Sequence, residues 1–238
     1  MDWRAFLAAT VVIGAYLVGG IPWALLIGKW TRGIDIREHG SGNTGAANSF
    51  RILGRGPGFA VFALDFAKGV VPMLVALWVS TLMPHEWTDG LLVLTGMAAM
   101  LGHSYSPYMR FAGGKAIATG GGVVLVLSPL CLLVIGAVFF VVAVPTRFIS
   151  LGAVCAALAY PLTVAFLYQG RPWLLAFAAI AALLVVWRHR GNIGRIIRGQ
   201  ERRATWGIFP PDDRAGIAQG TPARSRRQAP GGREGERG

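Results

Sequence analysis

The sequence predicts an all-α, polytopic integral membrane protein, and three observations carry that prediction. Hydrophobic residues make up 54% of the 238 and charged residues only 14%, where an ordinary globular chain carries about a quarter charged residues. The mean hydropathy is +0.52. The apolar residues fall in long blocks separated by short stretches rich in glycine and arginine, which is the pattern of successive membrane-crossing helices. A formal net charge of +12 would suit a nucleic-acid partner. Lys and Arg, however, concentrate in cytoplasmic loops for topological reasons, so no nucleic acid is expected. Cys131 and Cys155 stand in apolar blocks and read as small core residues, neither a disulfide framework nor a metal site. The first block is too long for a cleaved signal peptide.

A first span is expected over Trp3 to Trp30, kinked at Pro22. The polar stretch Gly33 to Gly56 follows, with Arg37, Arg51 and Arg55. By the positive-inside rule it is cytoplasmic, which puts the N-terminus outside. A second span covers Pro57 to Met83, a short acidic turn lies outside, and a third span covers Gly90 to Tyr108. The block from Ile117 to Val144 decides the count. Taken as one span, it leaves the most basic stretch of the chain, Arg188 to Arg203, outside the cell. A break at Ser128-Pro129 restores parity, because the residue before proline avoids helical geometry. It divides the block into Ile117 to Leu127, about 16 Å long, and Pro129 to Val144. Spans over Phe148 to Tyr168 and Trp173 to Trp187 complete seven transmembrane helices, with five as the alternative and a cytoplasmic C-terminus. Residues 1–206 are expected to form one membrane-embedded domain, and 207–238 a disordered basic cytoplasmic tail.

Three polar clusters fall on the cytoplasmic side of this arrangement. The first is Gly40-Ser41-Gly42-Asn43-Thr44-Gly45-Ala46-Ala47-Asn48, followed by Arg51. Small, hydroxyl and amide residues at this density offer hydrogen bonds on a backbone that can approach a ligand, and Arg51 suits bidentate recognition of an oxyanion. Behind it, Asp65 and Lys68 are three residues apart inside the second span, on one helical face, and are expected to neutralise each other. The second cluster runs from His103 to Thr119 around Gly113-Gly114-Lys115. Two glycines allow close backbone approach, and a lysine adds a point charge, as a phosphate requires. It is not a Walker A loop, since no Ser or Thr follows Lys115 directly. In the third, Arg188 to Glu201, topological charge explains the arginines. His189 and Asn192 share a face and could orient a hydroxyl or phosphoryl oxygen, joined by Ser150. No thiol nucleophile, His/Glu metal pattern or cofactor is evident. A small anion transporter using the short fourth helix would be the competing class, but the halves show no convincing internal repeat.

As a set the clusters resemble the bacterial membrane glycerol-3-phosphate acyltransferases that use acyl-phosphate as donor. The resemblance rests on Gly40 to Asn48 with Arg51, Gly54, Asp65 and Lys68-Gly69; on Gly102-His103, Phe111, Gly113-Gly114-Lys115 and Ala118-Thr119; and on Arg188-His189, Asn192-Ile193, Arg195, Gly199 and Glu201, with Ser150-Leu151-Gly152 before the sixth helix. It covers about residues 5 to 203. Two positions depart from the family pattern: Ala116, where a glycine is usual, and Ala47, where a threonine is usual; helical geometry at Ala116 is expected to tolerate alanine. The resemblance implies a multi-pass protein of the bacterial inner membrane. It implies transfer of a long acyl chain from acyl-phosphate to the 1-hydroxyl of glycerol 3-phosphate, the first step of phospholipid synthesis, with a functional link to the enzyme that makes acyl-phosphate. Ser41, Arg51, Lys115, His189 and Asn192 are then the expected catalytic residues. Asn43, Thr44, Asn48, Lys68, His103, Gly113, Gly114, Thr119 and Ser150 are the expected substrate contacts, with no metal and no cofactor.

The topology is open to a direct check. In a variant lacking Cys131 and Cys155, single cysteines at positions 55, 90 and 198 should react differently with a membrane-impermeant thiol reagent on intact cells. Position 90 should label, and 55 and 198 should not.

Overall fold

The computed structural model describes residues 2–204, so the expected tail at 207–238 lies outside the described residues. These are helical throughout, with no strand among them. The elements are α1 (Trp3–Gly20), α2 (Trp23–Arg32), α3 (Ala46–Leu53), α4 (Arg55–Ser80), α5 (His85–Ser104), α6 (Ile117–Leu127), α7 (Pro129–Thr146), α8 (Ile149–Leu167) and α9 (Pro172–Ile197), with single 3₁₀ turns at Ile36–Glu38 and Pro107–Met109. The Pro22 kink is a full break between α1 and α2. The polar stretch after α2 contains the amphipathic helix α3, whose Phe50 and Leu53 are buried. α9 continues ten residues beyond the expected Trp187, so His189 and Asn192 sit on regular helix.

Five segments are long and apolar enough to cross a membrane: Trp3–Arg32, Arg55–Ser80, Pro129–Thr146, Ile149–Leu167 and Pro172–Ile197. This is an integral membrane protein. The expected break at Ser128-Pro129 is present, with proline in the first turn of α7, where its missing N–H costs nothing. Five is the alternative count; the two further spans expected from sequence, α5 and α6, are not among these segments. α5 has 20 residues, about 30 Å, but its first turns carry Glu86 and Asp89. α6 has only 11 residues and cannot cross 30 Å of hydrocarbon alone. Even so, Val126 and Leu127 at its far end share a crevice with Asp89 and Arg171, the starts of α5 and α9. The C-terminal end of α6 therefore lies near the starts of α5 and α9, and α7 begins there.

Small residues make this packing possible. A Cβ on Gly69 of α4 would lie 2.1 Å from the Thr119 carbonyl oxygen of α6, and one on Gly122 would lie 2.2 Å from the Phe66 carbonyl oxygen. The two backbones touch, as transmembrane helices do where small residues face each other. α1 meets α5 in the same way at Gly102, where a Cβ would stand 2.1 Å from the Tyr16 carbonyl oxygen. The core around α6 holds Met73, Val123, Tyr160 and Phe177, all 3% exposed or less. Leu133, Val141, Leu162 and Phe166, each at least 70% exposed, point outward from α7 and α8, the distribution expected of lipid-facing helices.

Gly69→Ala should therefore part α4 from α6 and lower the melting temperature in detergent, at a cost of about 1–3 kcal/mol, the usual range for overpacking. Gly14→Ala on α1, with nothing within 4 Å of the added methyl, should leave it unchanged or raise it.

Candidate active site

The second and third polar clusters meet at one end of the bundle, around the last turns of α9, and Arg51 of the first acts on Lys115 there. Arg188, His189, Asn192 and Arg195 recur at helical spacing and form one stripe. Gly199, left-handed at φ +68°, then turns the chain back so that Glu201 faces the same stripe. Its carboxylate accepts from Ser150 Oγ at 2.7 Å, Asn192 Nδ2 and Arg195 Nε at 2.8 Å. Lys115 Nζ donates to Asn192 Oδ1. Ser150, Lys115 and Asn192, expected from sequence, are thus joined in one network with Glu201 and Arg195.

The electrostatics of the site are set by crowded cations. Burial pulls the Lys115 ammonium down to about 8; Glu201 opposes that, and Arg195, Arg188 and Arg51 add to it. Arg51 on α3 is likewise lowered, by burial first and then by Arg202, against Glu201. Burial pushes the Glu201 carboxyl up, but its hydrogen bonds from Asn192, Ser150 and Arg195 outweigh this and hold it below its ordinary range. One carboxylate among this many cations leaves a strongly positive site. His189 is buried beside Lys115, and its Nδ1 lies 2.8 Å from the Val185 carbonyl oxygen. A carbonyl only accepts, so Nδ1 carries the proton and Nε2 keeps its lone pair.

Lys68, His103 and Thr119 form a second cluster beneath the glycine loop. Lys68 Nζ lies 2.8 Å from Asp65 Oδ1, bears out the expected pairing, and also donates to the Ile21 carbonyl at 2.9 Å. It lies 3.1 Å from His103 Nδ1, and Thr119 Oγ1 lies 3.2 Å from the same nitrogen. An ammonium only donates, so His103 Nδ1 accepts and Nε2 bears the proton. That ring is the reason for Gly114, since a Cβ there would stand 2.1 Å from His103 Nε2; a Cβ on Gly113 would stand 2.2 Å from the His103 carbonyl oxygen. The Gly114 N–H, expected to be open to a ligand, is donated to that carbonyl at 3.0 Å. The glycines here admit the close approach of α5.

In the first cluster, Asn48 is buried and organises the loop. Its Oδ1 accepts from the Ser41 N–H at 3.0 Å and its Nδ2 donates to the His39 carbonyl at 3.0 Å. Ser41 is exposed, Asn43 is half-buried, and Thr44 is buried with no partner for its hydroxyl among the described residues. Ala116 corrects one expectation. It is left-handed at φ +56° and 1% exposed, a conformation that costs alanine about 1–2 kcal/mol and glycine nothing. Sequence reasoning left Arg188, Arg195 and Glu201 out of the site. The signal was the 188, 189, 192, 195 spacing, a single helical stripe that topological charge does not require.

An apolar cavity of about 260 Å³ lies along α6. It is walled by Phe62 and Phe66 of α4, the face of α6 from Ile117 to Val124, Phe139 of α7 and Ala181 of α9, and it starts at Ala116 and Val185. Those two residues adjoin Lys115 and the carbonyl that holds His189.

Residues 9–199 match the sequence family described as glycerol-3-phosphate acyltransferase. The chain belongs to that family. It is 43% identical over 191 residues to the glycerol-3-phosphate acyltransferase of Desulforamulus reducens, covering 80% of this chain and 92% of that one. With the Thermosynechococcus vestitus enzyme it shares 40% over 203 residues, 84% and 96% of the two chains. Its fold is that of PlsY (YgiH), an integral membrane glycerol 3-phosphate acyltransferase. The glycerol 3-phosphate form of PlsY superimposes with a TM-score of 0.76 at 37% identity, over 83% of this chain and 96% of that one. The lysophosphatidic acid form gives 0.73 at 36%, over 82% and 94%.

Proposed function

We propose that this member of the glycerol-3-phosphate acyltransferase family transfers a fatty acyl group from acyl-phosphate to the 1-hydroxyl of sn-glycerol 3-phosphate. The products are 1-acylglycerol 3-phosphate and inorganic phosphate, and the setting is the bacterial inner membrane, where a separate enzyme supplies the acyl-phosphate. One observation carries the reading: the apolar cavity is lined by Ala116, which follows Lys115 in sequence, and by Val185, whose carbonyl lies against His189 Nδ1. A lipid tail suits the cavity, and phosphates suit the neighbouring cations. The acyl chain lies along α6. Lys115, Arg51 and Ser150, with Ser41, Asn43 and Thr44 from the facing loop, gather the phosphates of donor and acceptor, and His189 and Asn192 position the attacking hydroxyl.

In the transfer, the hydroxyl oxygen bonds to the acyl carbon, the acyl–phosphate C–O bond breaks, and the hydroxyl proton passes to the departing phosphate. Holding both reactants in one geometry supplies much of the acceleration, and the fixed cations stabilise negative charge as it shifts to the leaving group. His103 does not serve as base, because its Nδ1 already accepts in the Lys68 cluster and Gly114 covers its other face. His189 is oriented by a carbonyl rather than a carboxylate, a weak arrangement for a general base. His103, Lys68 and Thr119 support the loop that carries Lys115, while Asn48 holds the loop that carries Ser41.

Detergent-purified protein should consume glycerol 3-phosphate with acyl-phosphate and not with acyl-CoA. Activity with acyl-CoA alone would overturn the donor assignment, and no consumption with either would overturn the reading. The Lys115 ammonium must be protonated to bind phosphate, and burial holds it at about 8. kcat/KM for glycerol 3-phosphate, which reports free-enzyme ionisations, should therefore fall as pH rises through about 8. Lys115→Arg, ionised at every accessible pH, should lose that alkaline limb.

A further inference from the structure

The geometry points to Arg188 as a positioning residue that holds the Gly113-Gly114 backbone in register with Lys115, through a fork of hydrogen bonds to two successive carbonyls. Its Nη2 donates to the Gly113 carbonyl at 2.7 Å and its Nε to the Gly114 carbonyl at 3.0 Å. The guanidinium lies over the Tyr105 ring, 5.2 Å from its centroid, which fixes the plane of the fork. The peptide between Gly113 and Gly114 is thereby gripped at both ends, its carbonyl by α9 through Arg188 and its N–H by the His103 carbonyl of α5.

The second hydrogen bond sets the next peptide. In a trans peptide the carbonyl and the following N–H point opposite ways. Drawing the Gly114 carbonyl toward Arg188 therefore turns the Lys115 N–H away from it. The Lys115 side chain is anchored on the same helix, at Asn192, four residues and about one turn further on. Backbone and side chain of the loop thus both take their position from one face of α9. Neither glycine has a positive φ, so the loop shape is set by these outside contacts and not by a left-handed turn at either residue. A topological arginine would need only its charge. This one uses the fork, which a lysine cannot reproduce.

The proposal rests on the acyl-transfer reading, so its test includes a measurement independent of activity. In full-length detergent-solubilised protein, Arg188→Lys and Arg188→Ala should each lower kcat/KM for glycerol 3-phosphate by about 10- to 100-fold, since a misplacement of about 1 Å can cost that much. Millimolar methylguanidinium should restore activity several-fold to Arg188→Ala, and methylammonium should not. Amide hydrogen exchange, followed by mass spectrometry without substrate, should rise in Arg188→Lys in the peptide spanning Gly113 to Ala116 and stay unchanged in α7 and α8. If wild type transfers no acyl group while exchange rises as described, the function reading fails and the positioning role stands. Wild-type activity or unchanged loop exchange in Arg188→Lys, or equal rescue by methylammonium, would overturn the role. Loss of the fold in both variants would overturn it too, because the arginine would then hold the bundle and not the loop.

Discussion

Lys68 is the side chain on which the bundle converges. It sits 4% exposed at membrane depth and reaches Asp65 on its own helix, the Ile21 carbonyl at the break between α1 and α2, and His103 on α5. Through His103 it also touches Thr119 of α6, whose hydroxyl donates to the Asp65 carbonyl. A lone charge in that position would be untenable, and removing one partner of such a pair usually costs about 3–5 kcal/mol. The arrangement converts that cost into specificity of packing. Only when α1, α4 and α5 are all in place does the ammonium have its acceptors, and His103 then presents the surface against which Gly113 and Gly114 lie.

The broad plan was legible in the sequence because its signals are local. Ser128-Pro129 broke a long apolar run where proline must, and α6 ends where it was expected, at Leu127. Asp65 and Lys68 were pairable because three residues on a helix put them face to face. α3 was read as loop because eight residues with Asn, Ser and Arg among them look polar until Phe50 and Leu53 find a core. The site was legible only as a set of ingredients. Glu201 meets Ser150 across 51 positions of sequence, a pairing no local pattern announces. Asn48 was counted among the substrate contacts on its chemistry, yet its amide is spent tying Ser41 to His39. Ala116 was expected to be helical, and only the backbone angle reveals the left-handed step before α6.

The distribution of charge at the site follows from which groups are spent on structure. Glu201 is engaged by three donors, so it fixes Ser150, Asn192 and Arg195 while cancelling only part of the positive field of the surrounding lysine and arginines. Lys115 is left partly buried among arginines that repel its charge. The helices beyond the site are almost entirely apolar, and the cavity along α6 takes its width from alanines and glycines. Polar precision is confined to one end of the molecule and lipid compatibility to the rest.

The brevity of α6 has a consequence for the surrounding bilayer. Eleven residues rise about 16 Å, roughly half the hydrocarbon thickness, and such a mismatch is met by thinning of the lipid, by burial against neighbours, or by both. Lys115 lies two residues before the first residue of α6, so thinning there would draw the aqueous boundary inward to it. A water-soluble acceptor would then reach the depth at which an acyl carbonyl sits without crossing the headgroup layer. In the proposed transfer, the acylated product would then already lie at the level of its neighbours in the leaflet, free to leave sideways.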